Sequence, residues 1–118
     1  MTYVLLIYRA TEIGKRPPAL DERATLRGHK KLQDQASARS ELHAVARLEE
    51  SRDAHTVRRS RGGHDVVDGP FLETKEWLVG FYLVDCSSET EAIDRAKMIC
   101  ADDEHVVEVR RATWRWEP

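Results

Sequence analysis

The sequence has few of the features that mark specialised classes of protein. It contains only two cysteines, Cys86 and Cys100, in no CxxC arrangement, so it supports neither a disulfide framework nor a zinc site. We expect reduced structural thiols, since free cysteine is usually a small buried hydrophobe. The run from Met1 to Arg9 is too short to cross a bilayer and lacks the basic start and small-residue cleavage site of a signal peptide. We therefore expect a cytoplasmic protein.

An excess of charge of one sign is also missing. Lysine and arginine number 19 and aspartate and glutamate 21, which gives a formal net charge of −2. This balance gives no reason to expect nucleic acid, an anionic membrane or a strongly acidic partner. A chain of this length fits one compact domain, and no repeat or long linker divides it. We predict a single domain over residues 1–118.

Strand-like and helix-like segments alternate along the chain. Both faces of the first segment are apolar, which predicts a central strand, and a four-residue apolar period later predicts a helix. Ser88 with Glu91 three residues on is a capping box that predicts a second helix. A change of apolar parity near Arg110-Arg111 predicts a bulge in the last strand. The predicted elements are strand 3–8, helix 19–39, a strand from residue 41, hairpin strands 55–60 and 64–67, strand 78–85, a helix after residue 88 and strand 106–115.

The order β, α, β, hairpin, β, α, β predicts an α+β fold. Two split βαβ units with a hairpin inserted between them give a ferredoxin-like antiparallel sheet with two helices on one face. The other face, with Trp114 and Trp116 at its end, then needs a cover. A second copy of the sheet is the simplest cover, so we expect a homodimer.

The most informative segment follows the hairpin. Asp68-Gly69-Pro70-Phe71 is a turn sequence, and Glu73-Thr74-Lys75-Glu76 follows it directly before an apolar strand. Together with Tyr3-Val4-Leu5-Leu6-Ile7-Tyr8, His55-Thr56-Val57-Arg58 and Glu108-Val109-Arg110, this pattern resembles the DGPF branch of the YCII-related proteins. The resemblance runs over nearly the whole chain. It implies a dimeric α+β barrel and an association with extracytoplasmic-function sigma factors.

Asp68 has two interpretations. Its carboxylate can accept hydrogen bonds from backbone N–H groups two residues on, and it then serves only to form the turn. A carboxylate held by a rigid turn at the mouth of a pocket is also suited to be a general base or a cation ligand. Glu73 and Lys75, with Glu76, are either solvated ion pairs or part of a ligand site at the same place.

Arg58 and Arg110 are candidate ligand-binding residues. Both lie on predicted strands with apolar neighbours, and a planar guanidinium with five donors is suited to hold a carboxylate or an enolate. The alternative is a structural bridge to Asp68, Glu73 or Glu108.

His29 is the candidate general base, because imidazole exchanges protons near neutral pH. In the wider YCII-related superfamily a catalytic histidine on the first helix, paired with an aspartate, is implied, and the candidate catalytic residues here are His29 and Asp68. His55 and His64, with Asp65 or Asp68, could in principle hold a divalent ion. No two histidines have ligand spacing in the sequence, so we predict no metal and no other cofactor.

These residues support two functional hypotheses. The first is a protein that binds a small polar or anionic organic molecule and performs acid–base chemistry of a lyase or isomerase kind. The alternative is a non-catalytic regulatory or interaction module with a protein partner in transcription regulation, such as a sigma factor. A protein partner needs exposed apolar surface, for which Trp77, Trp114 and Trp116 are candidates, whereas an enzyme needs an enclosed polar pocket.

Overall fold

The computed structural model describes residues 1–10, 22–71 and 76–118, and the order of its elements confirms the prediction. The elements are β1 (Thr2–Arg9), α1 (Glu22–Ala38), β2 (Leu42–Arg47), a 3-10 turn (Ser51–Asp53), β3 (His55–Ser60), β4 (Gly63–Asp68), β5 (Trp77–Asp85), α2 (Glu89–Ile99) and β6 (His105–Arg111). Within these described ranges, no helix has the length and apolar character needed to cross a membrane.

Four strands form the main sheet, in the order β2-β5-β1-β6. β1 is central and pairs antiparallel with β5 on one side and β6 on the other, while β2 pairs antiparallel with the outer edge of β5. The units β1-α1-β2 and β5-α2-β6 are thus interleaved in one sheet. This arrangement is consistent with the predicted ferredoxin-like plan.

Both helices cover the same face of this sheet. Tyr3, Leu5 and Ile7 alternate with half-buried neighbours along β1 and are themselves buried, as the two-residue period of a strand requires. They belong to one apolar core with residues of both helices, namely Leu32, Ala36, Ala92, Ala96 and Ile99. Since α1 and α2 contribute to a single core, the prediction of two helices on one face is confirmed.

The two helices approach closely at Gly28. A Cβ atom placed on Gly28 would lie 1.9 Å from the carbonyl oxygen of Met98, so any other residue there would push α1 away from α2. The predicted start of α2 is also confirmed: the Ser88 side chain accepts a hydrogen bond from the Glu91 N–H. The Glu91 carboxylate accepts in turn from the Ser87 N–H rather than from the cap residue itself.

The strands β3 and β4 form a separate two-stranded hairpin outside the main sheet. Their register runs from the pair His55 and Asp68 to the pair Ser60 and Gly63 at the tip. No residue of either strand is fully buried, and Val57 and Val66 are 64% and 65% exposed. The predicted hairpin is therefore present, but it projects from the domain as an exposed arm.

The predicted bulge near Arg110-Arg111 is wrong. β1 and β6 pair without a shift of register from Arg9 and His105 to Tyr3 and Arg111. β6 ends at Arg111, so the change of apolar parity marks the end of the strand and not an extra residue inside it. Trp114 and Trp116 lie beyond the sheet and are exposed. The homodimer predicted to cover this surface stays a prediction.

Candidate functional site

A cavity of about 400 Å³ lies between α1 and the helix-covered face of the sheet, at the end where β1 finishes and β6 begins. Much of its wall is apolar, formed by Ile7, Leu26, Val45, Trp77 and Val79. Leu26 and Val45 are exposed and therefore lie towards its mouth. The polar residues that line it are Arg9, Thr25, His29, Gln33, Arg47, Glu49, Glu50, Ser51, Tyr82 and His105.

A hydrogen-bonded cluster joins α1 to β5 in this cavity. His29 and Gln33 stand four residues apart on α1 and so lie on one face of the helix. The His29 Nδ1 atom is 2.7 Å from the Tyr82 hydroxyl, and the Gln33 side-chain amide donates to the same hydroxyl at 3.0 Å. The His29 and Tyr82 rings also stack, with centroids 5.7 Å apart. The tyrosine hydroxyl therefore fixes the orientation of the imidazole.

Burial favours the neutral forms of His29 and Tyr82, the two titratable members of this cluster. It lowers the pKa of His29 from its ordinary value of 6.5, and the nearby charge of His105 lowers it further. Burial also raises the pKa of Tyr82, and the hydrogen bond from Gln33 only partly opposes that rise. At neutral pH the cavity thus contains a neutral imidazole beside a neutral phenol.

A second polar cluster stands at the start of β6. The His105 Nδ1 atom is 2.8 Å from both carboxylate oxygens of Asp102, and the Thr25 hydroxyl donates to Asp102 at 2.9 Å. The backbone N–H groups of Glu104 and His105 donate to the same carboxylate. Burial alone would raise the pKa of Asp102, but the hydrogen bonds from His105, Thr25 and the Glu104 backbone outweigh it and hold that pKa below its usual value.

Arg9 adds a buried cation to the wall. It ends β1 directly opposite His105 in the β1–β6 register, and its side chain is almost inaccessible to solvent. A guanidinium at such a place is suited to hold the anionic part of a small molecule. Among the described residues no group of three or more His, Cys, Asp or Glu side chains is arranged to hold a metal ion.

Of the predicted catalytic and ligand-binding residues in the described part of the chain, only His29 lines this cavity. Asp68 lies on the hairpin, and its side chain is 92% exposed. Its carboxylate lies 3.1 Å from the Nδ1 atom of His55. Arg110 is exposed and pairs in register with Val4, on the sheet face that points away from the helices. The structure therefore does not bring His29, Asp68 and Arg110 together within one chain.

Arg58 also stands apart from the cavity. Its guanidinium lies over the Phe71 ring, 5.1 Å from the ring centroid, which is a cation–π contact between the hairpin and the turn that follows it. Glu73 and Lys75 fall in residues 72–75, outside the described residues.

The sequence did not single out Arg9, Gln33, Tyr82 and His105, which line the cavity. Tyr82 lies within the apolar strand β5, and nothing within a strand indicates which side chain of a distant helix will meet it. Two local signals were available: the four-residue spacing of His29 and Gln33, and the three-residue spacing of Asp102 and His105 in the loop before a strand. Each marks polar groups that a fold can place side by side.

Comparison with known proteins gives a family but no activity. Residues 1–116 match the family model of the YCII-related domain. The chain is also 38% identical over 97 residues to the uncharacterised protein R00369 of Rhizobium meliloti (strain 1021), an alignment that covers 82% of this chain and 78% of that protein. Neither description states a substrate or a reaction, so a functional hypothesis depends on the geometry of the cavity.

Proposed function

We infer that this chain, which belongs to the YCII-related family, binds a small polar or anionic organic molecule in the cavity between α1 and the sheet and performs acid–base chemistry there. The observation that supports this most directly is the His29 Nδ1 atom held 2.7 Å from the Tyr82 hydroxyl in the wall of that cavity. An imidazole fixed by a second side chain and exposed to a cavity is a typical proton-transfer group.

The size and lining of the cavity favour a small molecule. Its volume of about 400 Å³ falls within the range of about 300 to 1,000 Å³ that is usual for ligand pockets. A mainly apolar wall with a few convergent polar groups is also typical of such sites. In this proposal the anionic group of the ligand lies beside Arg9 and Arg47, the arginines of the cavity lining, because Arg58 and Arg110 lie elsewhere in the chain.

The experiment is a nuclear magnetic resonance titration of the protein with a panel of small carboxylic and keto acids. We expect saturable shift changes at the residues of the cavity for at least one compound. The blocking variant Val45→Trp, at the mouth, should weaken binding at least tenfold. Its matched control is Ile93→Trp, at a position of similar exposure on α2 that should leave binding unchanged. Failure of the whole panel to bind, or equal binding by Val45→Trp, would contradict the proposal.

We further propose that the chain belongs to the DGPF branch of its family and forms a homodimer of the α+β barrel type. The Asp68-Gly69-Pro70-Phe71 turn supports the branch. The open face of the sheet supports the dimer, because Val4 and Leu6 on β1 are only half-buried there within one chain. Light scattering should give the mass of a dimer for the native protein and of a monomer for Leu6→Glu. The control Ile93→Glu, on the outer side of α2, should remain dimeric, and a native monomer would refute the dimer.

A second candidate function is the regulatory or interaction module, and the exposed hairpin specifically favours it. Val57, Val66 and Val67 are each more than half exposed on this hairpin, and a cluster of exposed apolar side chains is a feature of protein interaction sites. Titration with a purified extracytoplasmic-function sigma factor tests it. Binding that is lost in Val66→Ser and retained in Val45→Trp would favour the module over the cavity ligand.

A further inference from the structure

We propose that the cavity holds its two imidazoles in opposite tautomers, so that His105 is the base of the site and His29 is its hydrogen-bond donor. The assignment of catalytic roles rests on the proposed function, whereas the tautomers themselves follow from the hydrogen bonds within the protein. The proposal changes the role of His29 from the predicted general base to a hydrogen-bond donor.

The direction of the hydrogen bonds around Tyr82 sets the tautomer of His29. The Gln33 side-chain nitrogen can only donate, so the Tyr82 oxygen accepts at that contact. The single hydrogen of the Tyr82 hydroxyl is then directed to its other partner, the Nδ1 atom of His29 at 2.7 Å. Because Nδ1 accepts, the neutral His29 ring carries its hydrogen on Nε2.

The carboxylate of Asp102 imposes the opposite state on His105. An ionised carboxylate can only accept, so the His105 Nδ1 atom must carry a hydrogen that it donates to Asp102 at 2.8 Å. The Thr25 hydroxyl and two backbone N–H groups also donate to this carboxylate and keep it in place. The neutral His105 ring therefore has its lone pair on Nε2, as in an aspartate–histidine pair that acts as a base.

Both Nε2 atoms are available to a ligand. His29 and His105 line the same cavity, and in the described part of the chain neither ring uses Nε2 for a hydrogen bond to protein. The cavity then presents one acceptor nitrogen and one donor N–H. Arg9 supplies a positive charge in the same wall.

This combination suits a carbonyl compound that has an acidic C–H bond next to the carbonyl group. The His105 Nε2 lone pair takes the proton, the electron pair of the C–H bond becomes the carbon–carbon double bond, and the carbonyl π pair moves to oxygen. The His29 Nε2–H donates to the oxygen that gains negative charge, and Asp102 stabilises the imidazolium formed at His105. Return of the same proton to that oxygen gives the enol. In a β,γ-unsaturated carbonyl compound, its return to the γ-carbon, with the double bond moving into conjugation, completes an isomerisation, and neither outcome needs another reactant. His105 and His29 are the catalytic residues in this scheme, and Asp102 and Tyr82 are positioning residues.

The tautomers can be measured without any ligand. Nitrogen resonances of histidine-labelled protein distinguish a ring nitrogen that carries hydrogen from one that does not, and His29→Gln and His105→Gln assign the two rings. We expect hydrogen on Nε2 of His29 and on Nδ1 of His105 at a pH where both rings are neutral. The same tautomer in both rings, or the reverse pair, would overturn the proposal.

Two near-isosteric variants test the cause of each state. Gln33→Glu replaces a donor by an acceptor that takes the Tyr82 hydrogen, so His29 should move its hydrogen to Nδ1 while His105 is unchanged. Asp102→Leu removes both carboxylate oxygens, each of which lies 2.8 Å from His105 Nδ1, so His105 should lose its fixed hydrogen on Nδ1 while His29 is unchanged. An unchanged tautomer of His29 in Gln33→Glu, or of His105 in the Asp102 variant, would overturn this explanation of the two tautomers.

These outcomes are separate from those of the proposed function. Opposite tautomers with no ligand bound by the acid panel would remove the proposed function and leave the protonation states intact. Ligand binding with identical tautomers would retain the cavity as a binding site and remove the division of roles between His29 and His105.

Discussion

The cavity and the hairpin each contain a histidine paired with an aspartate, and the two pairs differ chiefly in burial. His105 and Asp102 lie 2.8 Å apart with side chains that are each 10% exposed. His55 and Asp68 lie 3.1 Å apart with side chains that are 66% and 92% exposed. Water and ions screen the exposed pair, so it is worth at most about 1 kcal/mol, whereas the buried pair fixes one geometry of the imidazole. Pairing alone therefore does not identify a chemical site.

The two regions also differ in what they contain: the hairpin lies beside the turn motif, whereas the cavity contains the candidate chemical site. The Asp68-Gly69-Pro70-Phe71 turn, on which the proposed DGPF branch depends, lies beside the exposed pair at the base of the hairpin arm. The polar groups that share a cavity come instead from α1, β1, β5 and the loop before β6. The turn that carries the resemblance to the DGPF branch and the cavity therefore lie in different parts of the chain.

The largest difference between the two regions should appear when a large apolar side chain is truncated. Leu32 on α1 is fully buried beside the cavity wall, so Leu32→Ala should lower the free energy of unfolding by about 3 kcal/mol. Val66 on the hairpin is mostly exposed, so Val66→Ala should change it by less than about 0.5 kcal/mol. Urea unfolding measures both. A large effect of Val66→Ala that depends on protein concentration would show that a second molecule buries the hairpin.

A smaller loss of stability is expected for Asp102→Ala. The change leaves the Thr25 hydroxyl, the His105 ring and two backbone N–H groups without their acceptor in a mostly buried place. We expect a loss of about 2 kcal/mol of stability, because an unsatisfied buried donor costs roughly 1 to 3 kcal/mol. Thermal and urea unfolding measure it, with Asp103→Ala at the exposed neighbouring position as control. Equal behaviour of the two variants would show that Asp102 does not organise this loop.

The parts of the fold that the sequence predicted are those with a local cause. The two-residue alternation of β1 and the Ser88 cap of α2 arise from neighbours in the chain, and both are present. The cavity depends on distant residues: His29 and Tyr82 are 53 positions apart. Only the pairing of strands and the seating of α1 on the sheet bring them together, so no local pattern could assign Tyr82 its role.

The dependence of stability on pH should also distinguish the cavity from the hairpin. The folded protein holds the pKa of His29 below its ordinary value of 6.5, so near and below that pH the unfolded chain binds more protons than the folded one. The contribution of His29 is therefore fully present above about pH 6.5 and is lost as pH falls towards its folded pKa. Because one proton is involved, His29 can change the free energy of unfolding by at most about 1.4 kcal/mol per pH unit.

Urea unfolding between pH 8 and about pH 5 measures this slope, because the carboxyl groups with lowered pKa titrate below that window. The native protein should lose stability more steeply than His29→Gln. His55→Gln, on the exposed hairpin, should follow the native protein closely. Identical slopes for the native protein and His29→Gln would show that His29 is not protected from protonation by the fold.

The smallest effect is expected at the motif itself. Asp68→Ala should change the free energy of unfolding by less than about 0.5 kcal/mol, because its carboxylate is exposed and, among the described residues, pairs with the exposed His55 alone. The turn depends more on Gly69, because its φ of 99° suits glycine. The Gly69 N–H donates to the Ala54 carbonyl, and the Gly69 carbonyl accepts from the Thr56 hydroxyl. Gly69→Ala should therefore cost about 1 kcal/mol and serves as the matched comparison. A different outcome would be weaker binding of a cavity ligand by Asp68→Ala, with the thermal midpoint of the protein unchanged. That outcome would show that the hairpin of one molecule reaches the cavity of another, so that the two regions form a single site in the dimer.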